Sequence, residues 1–144
     1  IDVGFKTMKN SDFSSIKKVA SGGELSRLLL IMKSYISENE INKTIIFDEV
    51  DSGLSGKVAG IVADKIVEIS KYNQVLAITH SPQVAAKADK HWKIIKNIKD
   101  SNLMESSIIE LNEGQRIEEI ANIFSGDRIS EASKKVARDL LLKK

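Results

Sequence analysis

Residues 44–56 read TIIFDEVDSGLSG, and they decide the fold class of this chain. The apolar or β-branched residues 44–47 are too few for a helix and end at two adjacent carboxylates, Asp48 and Glu49, which is typical of a buried strand. The turn that follows contains glycine and serine, and apolar residues then recur at helical spacing. These residues predict the next helix: Val58, Ile61, Val62, Ile66 and Ile69.

The strand pattern returns at residues 73–83, NQVLAITHSPQ, where Val75–Thr79 is followed by the polar His80. A strand, a helix and a second strand joined by short turns form a βαβ unit, whose strands are parallel neighbours with a right-handed crossover. Ligands of such sheets bind beyond the carboxyl ends of the strands. We therefore expect Asp48, Glu49 and His80 to lie at that edge.

The rest of the chain predicts helices around this unit and a second pair of strands. An extended start at 1–7 and a polar loop at 9–15 precede a helix over 24–38. Pro82 suits the first turn of a helix over 83–88, residues 91–99 and 104–111 predict an antiparallel pair at the sheet edge, and the tail is helical. Five apolar positions of the first helix form the face expected to pack inward: Leu25, Leu28, Leu29, Met32 and Ile36. In the tail, apolar positions form two stripes: Ile117, Ile120, Ala121 and Phe124 on one, and Val136, Ala137, Leu140 and Leu141 on the other.

The composition is that of an ordinary globular domain. The 144 residues are 42% hydrophobic and 29% charged, and 22 basic residues nearly match 20 acidic ones, so charge alone indicates neither a nucleic-acid nor a membrane surface. The absence of cysteine excludes thiolate chemistry and favours a reducing, cytoplasmic location. Apolar runs such as 28–32 are too short to span a bilayer. Because Ile1 is not methionine, we expect a piece of a longer polypeptide.

The acid pair Asp48 and Glu49 has a physical role if a magnesium nucleotide lies at the end of the strand. Asp48 would hold Mg²⁺ through its water shell, and Glu49 would orient or deprotonate the attacking water. His80 would contact the terminal phosphate. The alternatives are acids that cap a turn and a histidine that is hydrogen-bonded structurally. A histidine at the end of one strand together with an acid pair at the end of its neighbour favours the functional interpretation.

Residues 19–30, VASGGELSRLLL, place two glycines before a helix, which presents bare backbone N–H groups to an anion or simply starts the helix. A phosphate-binding loop also needs the pattern G-x-x-x-x-G-K-[ST]. The only Gly-Lys pair, Gly56-Lys57, is followed by Val58. The loop is therefore absent from this sequence.

The order of these motifs resembles the C-terminal half of the ATP-binding-cassette ATPase head over residues 19–96. Within that superfamily, residues 19–27, 47–56 and 78–96 look most like the RecN family of bacterial double-strand-break repair proteins, which is related to the structural-maintenance-of-chromosomes (SMC) ATPases. The ending at 116–141 also resembles that family. The resemblance implies an α/β fold with a mostly parallel sheet, the C-terminal lobe of a P-loop ATPase head, in one domain over 1–144.

The resemblance also implies roles for individual residues. Asp48 and Glu49 correspond to the Walker B pair, and His80 to the switch histidine. The signature motif, which contacts ATP on an opposite head, corresponds to Ser21, Gly22, Gly23 and Glu24, and the D-loop at the dimer seam includes Ser52, Gly53 and Ser55. Val50-Asp51 replaces the Pro-Thr usual in transporters, which favours a chromosome-maintenance type of head. Ser55 replaces a frequent aspartate and puts a D-loop carboxylate role in doubt.

The implied cofactors are ATP and Mg²⁺, and the implied partners are the N-terminal half of the same protein, a second head and DNA. The N-terminal half would carry the Walker A lysine loop and lead into a coiled coil, both absent here. The full-length protein is expected to be a cytoplasmic, nucleoid-associated ATPase in DNA repair with no membrane contact. The segment alone is expected to bind ATP weakly and to be inactive.

Three alternatives stay open at this point. The chain could be a head segment of another such ATPase, of the chromosome-maintenance or transporter type. It could be a non-enzymatic DNA-contacting module, although alternation along a strand would spread the charge over two faces. It could be a hydrolase with direct metal ligands, which leaves residues 21–24 unexplained. The residues that would contact DNA are Lys87, Lys90, Lys93, Lys96 and Lys99 around His91 and Trp92. The possible direct metal ligands are Asp48, Glu49, Asp51 and His80.

Overall fold

The computed structural model describes residues 4–6, 14–15, 22–36, 42–99, 103–126 and 128–142. The chain divides into two compact units, residues 1–79 and 80–144, and the single domain over 1–144 stays a prediction. In chain order the elements are β1 (Gly4–Phe5), β2 (Ser14–Ser15), α1 (Gly22–Ile36), β3 (Thr44–Asp48), α2 (Gly56–Ser70), β4 (Gln74–Ile78), α3 (Pro82–Lys87), β5 (Trp92–Lys99), β6 (Leu103–Glu110), α4 (Glu113–Ser125) and α5 (Glu131–Leu142).

The centre of the first unit is a parallel strand pair. β3 and β4 pair in register from Thr44 opposite Gln74 to Asp48 opposite Ile78, with α2 between them in the chain. This confirms the predicted βαβ unit and the mixed α/β class. β3 runs one residue beyond the predicted end because Asp48 still pairs with its neighbour. Both carboxyl ends therefore lie at one edge of the pair.

The core of this unit lies on one face of the strand pair. Alternate residues of a strand point to opposite faces, and accordingly Phe47 is buried whereas Ile46 is exposed. Val50 extends the buried set beyond the end of β3. The cluster consists of Leu30, Phe47, Val50, Val62 and Ile69, with Ile45, Leu54, Ile66 and Val75 packed against it.

Helix α1 buries a different face from the one predicted. The fully buried residue is Leu30, with 1% of its surface exposed, whereas Leu29 and Met32 are 55% and 56% exposed. Leu25 and Ile36 are exposed as well. The prediction of an inward face through these residues is wrong within this chain, because apolar spacing identifies an apolar face but not the surface that covers it.

The second unit is a helical cluster beside an antiparallel ribbon. Ser81 caps α3 by accepting a hydrogen bond from the Val84 N–H (3.5 Å), with Pro82 in the first turn as predicted. Asn112 caps α4, since its Oδ1 accepts from the Gln115 N–H (2.9 Å) and its own N–H donates to Gln115 Oε1 (3.0 Å). The core consists of Ala85, Ala86, Ile120, Ala121 and Ala137. Phe124, on the same predicted stripe as Ile120 and Ala121, is exposed.

The antiparallel strands form a sheet of their own. β5 and β6 pair from Trp92 opposite Glu110 to Lys99 opposite Leu103, as predicted for an antiparallel pair. Among the strands that the structure describes, neither pairs with a third one, so they are not at the edge of the parallel sheet. β2 falls within the predicted polar loop and pairs antiparallel with β1, because backbone pairing does not require apolar side chains. Within the described residues, no helix has the length and apolarity needed to cross a membrane.

Candidate functional site

The acid pair lies where the sequence predicts, at the carboxyl end of β3. Asp48 is the last strand residue, and both carboxylate side chains are exposed. Glu49 turns out of the strand with φ of 45°, and its N–H donates to the carbonyl of Ile78 (3.0 Å). Positive φ is uncommon for a residue other than glycine and clusters at functional sites. The backbone at Glu49 is therefore held in a strained conformation at the edge of the sheet.

The turn after Glu49 is fixed by its own hydrogen bonds. The Ser52 N–H donates to the Glu49 carbonyl (3.0 Å), and the Leu54 N–H donates to the Asp51 carbonyl (3.2 Å). Gly53 has φ of 72°, which only glycine adopts without strain. Val50 lies in the core. The turn thus has one defined conformation rather than being an open loop.

Asp51, which the sequence offers as a possible metal ligand and as part of the Val50-Asp51 pair, is held by a residue that follows the neighbouring strand. Its side chain is 7% exposed and accepts a hydrogen bond from the Thr79 hydroxyl, just after β4. A buried carboxylate requires such a partner, since leaving it unpaired is costly. The sequence signal for this hydrogen bond is an aspartate two residues after Glu49 together with a threonine just after the next strand.

Helix α1 connects the predicted signature segment to this turn. Gly22 and Gly23 open the helix, and Glu24 lies in its first turn, where a carboxylate favours the helix dipole. The Arg27 guanidinium donates to the carbonyl of Ser52 (3.4 Å). Ser21 lies outside the described residues. The structure therefore brings α1 and the predicted D-loop together.

The predicted D-loop residues lie at the surface. Ser52, Gly53 and Ser55 are all exposed. Ser55 is the N-cap of α2, but its side chain makes no capping hydrogen bond, and its carbonyl accepts from the Ala59 N–H (2.9 Å). These residues are therefore accessible to another protein surface.

His80 is the first residue of the second unit and follows Ile78, the last residue of β4, by two positions. Its side chain is exposed. The placement of its imidazole beside the acid pair stays a prediction, as does its role.

A direct metal site is not supported. Among the side chains that the structure describes, no group of three or more acidic or histidine residues could hold a metal ion. A cavity of about 430 Å³ lies instead at the amino ends of β3 and β4, lined by residues 42–44 and 70–74. The acid pair lies at the other, carboxyl end of the strand pair, where both side chains are exposed.

The lysines around β5 are partly neutralised. Lys90 pairs with Glu110 (3.1 Å), and Lys93 pairs with Glu119 on α4. The hydrogen bond from Lys90, followed by that from Trp92, lowers the pKa of Glu110. Ion pairing and strand alternation both reduce the positive field that duplex DNA requires. The ribbon is therefore a weaker candidate for DNA contact than the sequence alone suggests.

His91, the residue before β5, has a pKa that departs from its ordinary value. Burial, followed by the charge of Arg116, lowers the pKa of His91 below 6.5, with Lys93 acting in the same direction and Glu119 opposing. Its Nδ1 atom is buried and has no hydrogen-bond partner among the described residues. The folded chain therefore favours the neutral imidazole.

This shift predicts a loss of stability in mild acid. The unfolded chain takes up the proton first, so the contribution of His91 is complete above its ordinary pKa and is lost as the pH falls from 6.5 towards the folded pKa. We expect His91→Gln to reduce the drop in melting temperature between about pH 7.5 and 5.5. The chain has two histidines, so His80→Gln is the matched control. An equal drop in wild type and His91→Gln contradicts the prediction.

The first unit also exposes an apolar stripe, defined as Leu25, Leu29, Met32 and Ile36 on α1. Ile46 on β3 and Ile78 on β4 are exposed as well. Among the described residues, β3 and β4 pair only with each other, and a two-stranded sheet is marginal without further packing. Contiguous exposed apolar surface of this kind marks a protein interaction site.

Comparisons with known proteins agree with the motif order. No family model matches the sequence. The chain is 42% identical over 142 residues to the DNA repair protein RecN of Rickettsia felis, covering 97% of this chain and 26% of that protein. It is 43% identical over 135 residues to RecN of Bacillus subtilis (94% and 23%) and 36% identical over 137 residues to RecN of Deinococcus radiodurans (95% and 24%).

A solved structure is also similar, described as "Structural biochemistry of ATP-driven dimerization and DNA stimulated activation of SMC ATPases". The TM-score is 0.54 at 26% sequence identity, covering 83% of this chain and 70% of that chain. The chain spans about a quarter of the length of the curated relatives that it matches. These similarities confirm the resemblance drawn from the motifs and the mixed α/β class.

Proposed function

We propose that this chain, the C-terminal ATPase head segment of a RecN-like DNA repair protein, supplies the water-activating carboxylate of an ATPase and the surface that meets a second head. One observation carries the proposal. Glu49 follows Asp48 directly after β3 and has a positive φ, and its N–H donates a hydrogen bond to the carbonyl of Ile78, the last residue of β4. Strained backbone clusters at functional sites, ligands of parallel sheets bind at this edge, and phosphoryl transfer needs a residue that positions the nucleophile.

The donor set at this edge fits ATP with Mg²⁺. The exposed carboxylate of Asp48 offers the hard oxygen ligands that Mg²⁺ favours, and we assign it to hold the ion through water. Mg²⁺ bound there would offset phosphate charge. Glu49 accepts a proton from the attacking water or orients it, and His80 contacts the terminal phosphate.

The surfaces beside the acid pair support a head-to-head assembly. Glu24 and the D-loop residues are exposed, and the SMC ATPases of the similar structure are described by ATP-driven dimerization and DNA-stimulated activation. We assign Ser21, Gly22, Gly23 and Glu24 to contact ATP on the second head, and Ser52, Gly53 and Ser55 to the seam. The complete protein acts on DNA and is cytoplasmic and nucleoid-associated.

The N-terminal half of the same protein is the partner proposed for the apolar stripe. That half would supply the lysine loop that this sequence lacks. It would also extend the two-stranded sheet and cover Ile46 and Ile78. The complete nucleotide site then requires both halves.

A mixing experiment tests this function. We expect no ATP hydrolysis by this segment alone or by a separately produced N-terminal segment, and measurable hydrolysis when both are combined. Activity should disappear when the loop lysine of the N-terminal segment is changed to alanine, or when this chain carries Glu49→Gln. Hydrolysis by this segment alone that depends on Glu49 contradicts the proposed site. If the mixture is inactive, the same two substitutions are tested in the complete protein.

A further inference from the structure

We infer that Asp51 and Thr79 form a positioning pair. Their hydrogen bond keeps the backbone of Glu49 in the conformation needed for hydrolysis and ties the turn after β3 to the residue that immediately precedes His80. The inference rests on the proposed function and adds two residues to it. Neither residue is assigned to contact nucleotide. Their role would be to act through Glu49.

The first argument is geometric. Three consecutive residues after β3 are each anchored by a different contact: the Glu49 N–H donates to Ile78, Val50 is buried in the core, and Asp51 accepts from Thr79. Two of these contacts are made with Ile78 and Thr79, adjacent residues at the end of β4. The contact with Ile78 is between backbone groups, whereas the contact with Thr79 is between side chains.

The second argument concerns strain. A left-handed backbone at a residue such as Glu49 persists only where the surrounding structure over-determines it. The bond between Asp51 and Thr79 supplies one of these constraints. If this hydrogen bond is lost, the hydrogen bond from the Glu49 N–H to the Ile78 carbonyl and the packing of Val50 remain. We therefore expect the turn to become more mobile while the unit stays folded.

The third argument concerns the cost of burying Asp51. Its carboxyl group is almost fully buried, and burial of such a polar group is costly unless it is hydrogen-bonded. The hydroxyl that pairs with it belongs to the residue immediately before His80. The bond therefore joins the turn that carries one proposed catalytic residue to the segment that leads into the other.

The test uses substitutions at Thr79 in the complete protein. Thr79→Val removes the hydroxyl at nearly constant shape, and Thr79→Ser keeps it. The matched control is Thr44→Val at the opposite end of the strand pair, where the hydroxyl donates to Gln74 Oε1 (2.9 Å). Steady-state ATP hydrolysis gives kcat and KM, and hydrogen exchange over residues 46–56 reports the turn.

For Thr79→Val we expect kcat to fall by roughly tenfold or more, since small misplacement of a catalytic group is costly, while KM for ATP changes by less than about twofold. The amides of Ser52 and Leu54 should exchange faster. Thr79→Ser should restore most of the activity, and Thr44→Val should leave both measurements unchanged.

Other outcomes separate this inference from the proposed function. Unchanged kcat and exchange in Thr79→Val, with hydrolysis lost in Glu49→Gln, overturn the positioning pair but leave the function standing. Faster exchange with unchanged kcat also overturns it, since the pair would then be only structural. Hydrolysis that persists in Glu49→Gln overturns the proposed function itself, and the inference with it.

Discussion

Replacing Glu49 by glutamine in the complete protein is expected to lower the rate of ATP hydrolysis by about 10²–10⁴-fold, the contribution typical of a general base. The amide keeps the shape of the side chain but does not accept the proton of the attacking water. The backbone conformation of residue 49 and the hydrogen bond from its N–H to the Ile78 carbonyl do not involve the side chain, so the substitution should leave both unchanged. Nucleotide binding should therefore persist, and ATP-bound head dimers should accumulate.

The measurement pairs turnover with binding. Steady-state hydrolysis and calorimetric ATP binding are compared between wild type and Glu49→Gln. The matched control is Glu68→Gln on α2, where an exposed glutamate pairs with Lys65 (2.7 Å) away from the strand edge. It should hydrolyse ATP at the wild-type rate. Normal turnover in Glu49→Gln would show that another residue activates the water.

Replacing Leu29 and Met32 together by glutamate is expected to weaken association with the N-terminal half by roughly 10–10²-fold, because about half of each side chain is left to be buried. Both side chains are more than half exposed on the apolar stripe of α1. Burying one large apolar side chain contributes about 1.5–3 kcal/mol, and each 1.4 kcal/mol is a tenfold change in affinity. Two carboxylates in the same interface add a desolvation cost.

Affinity between the two separately produced halves measures this effect. Leu142→Glu is the control, because Leu142 is 82% exposed on α5 and lies outside the stripe. It should bind like wild type, and thermal unfolding should show that the double variant keeps its fold. If the double variant binds the N-terminal half normally, the stripe is not the docking surface.

Much of the local structure is predictable from this sequence because its signals are local. The run at 44–47 with its two acids defines β3, Pro82 with Ser81 defines the start of α3, and apolar spacing defines α2 and the tail helices. Each signal depends on the backbone preferences of a few adjacent residues. The parallel pairing of β3 and β4 follows as well, since a short βαβ crossover permits little else.

Other features depend on residues that are distant in the chain. The hydrogen bond from Thr79 to Asp51 joins residues 28 positions apart, and no local pattern predicts it. The separate β5 and β6 sheet and the exposed Phe124 likewise depend on what packs against them. Hydrophobic spacing specifies that a surface is apolar, but not its neighbour.

The sequence alone therefore determined most of the elements, with β2 as the exception, their order and the candidate catalytic residues, because each follows from short-range preferences and motif spacing. The tertiary structure alone decided which face of α1 is covered, how the turn after β3 closes onto β4, and the strained backbone of Glu49. Those features arise where segments far apart in the chain meet, and their energies come from packing and hydrogen bonds that no local stretch contains.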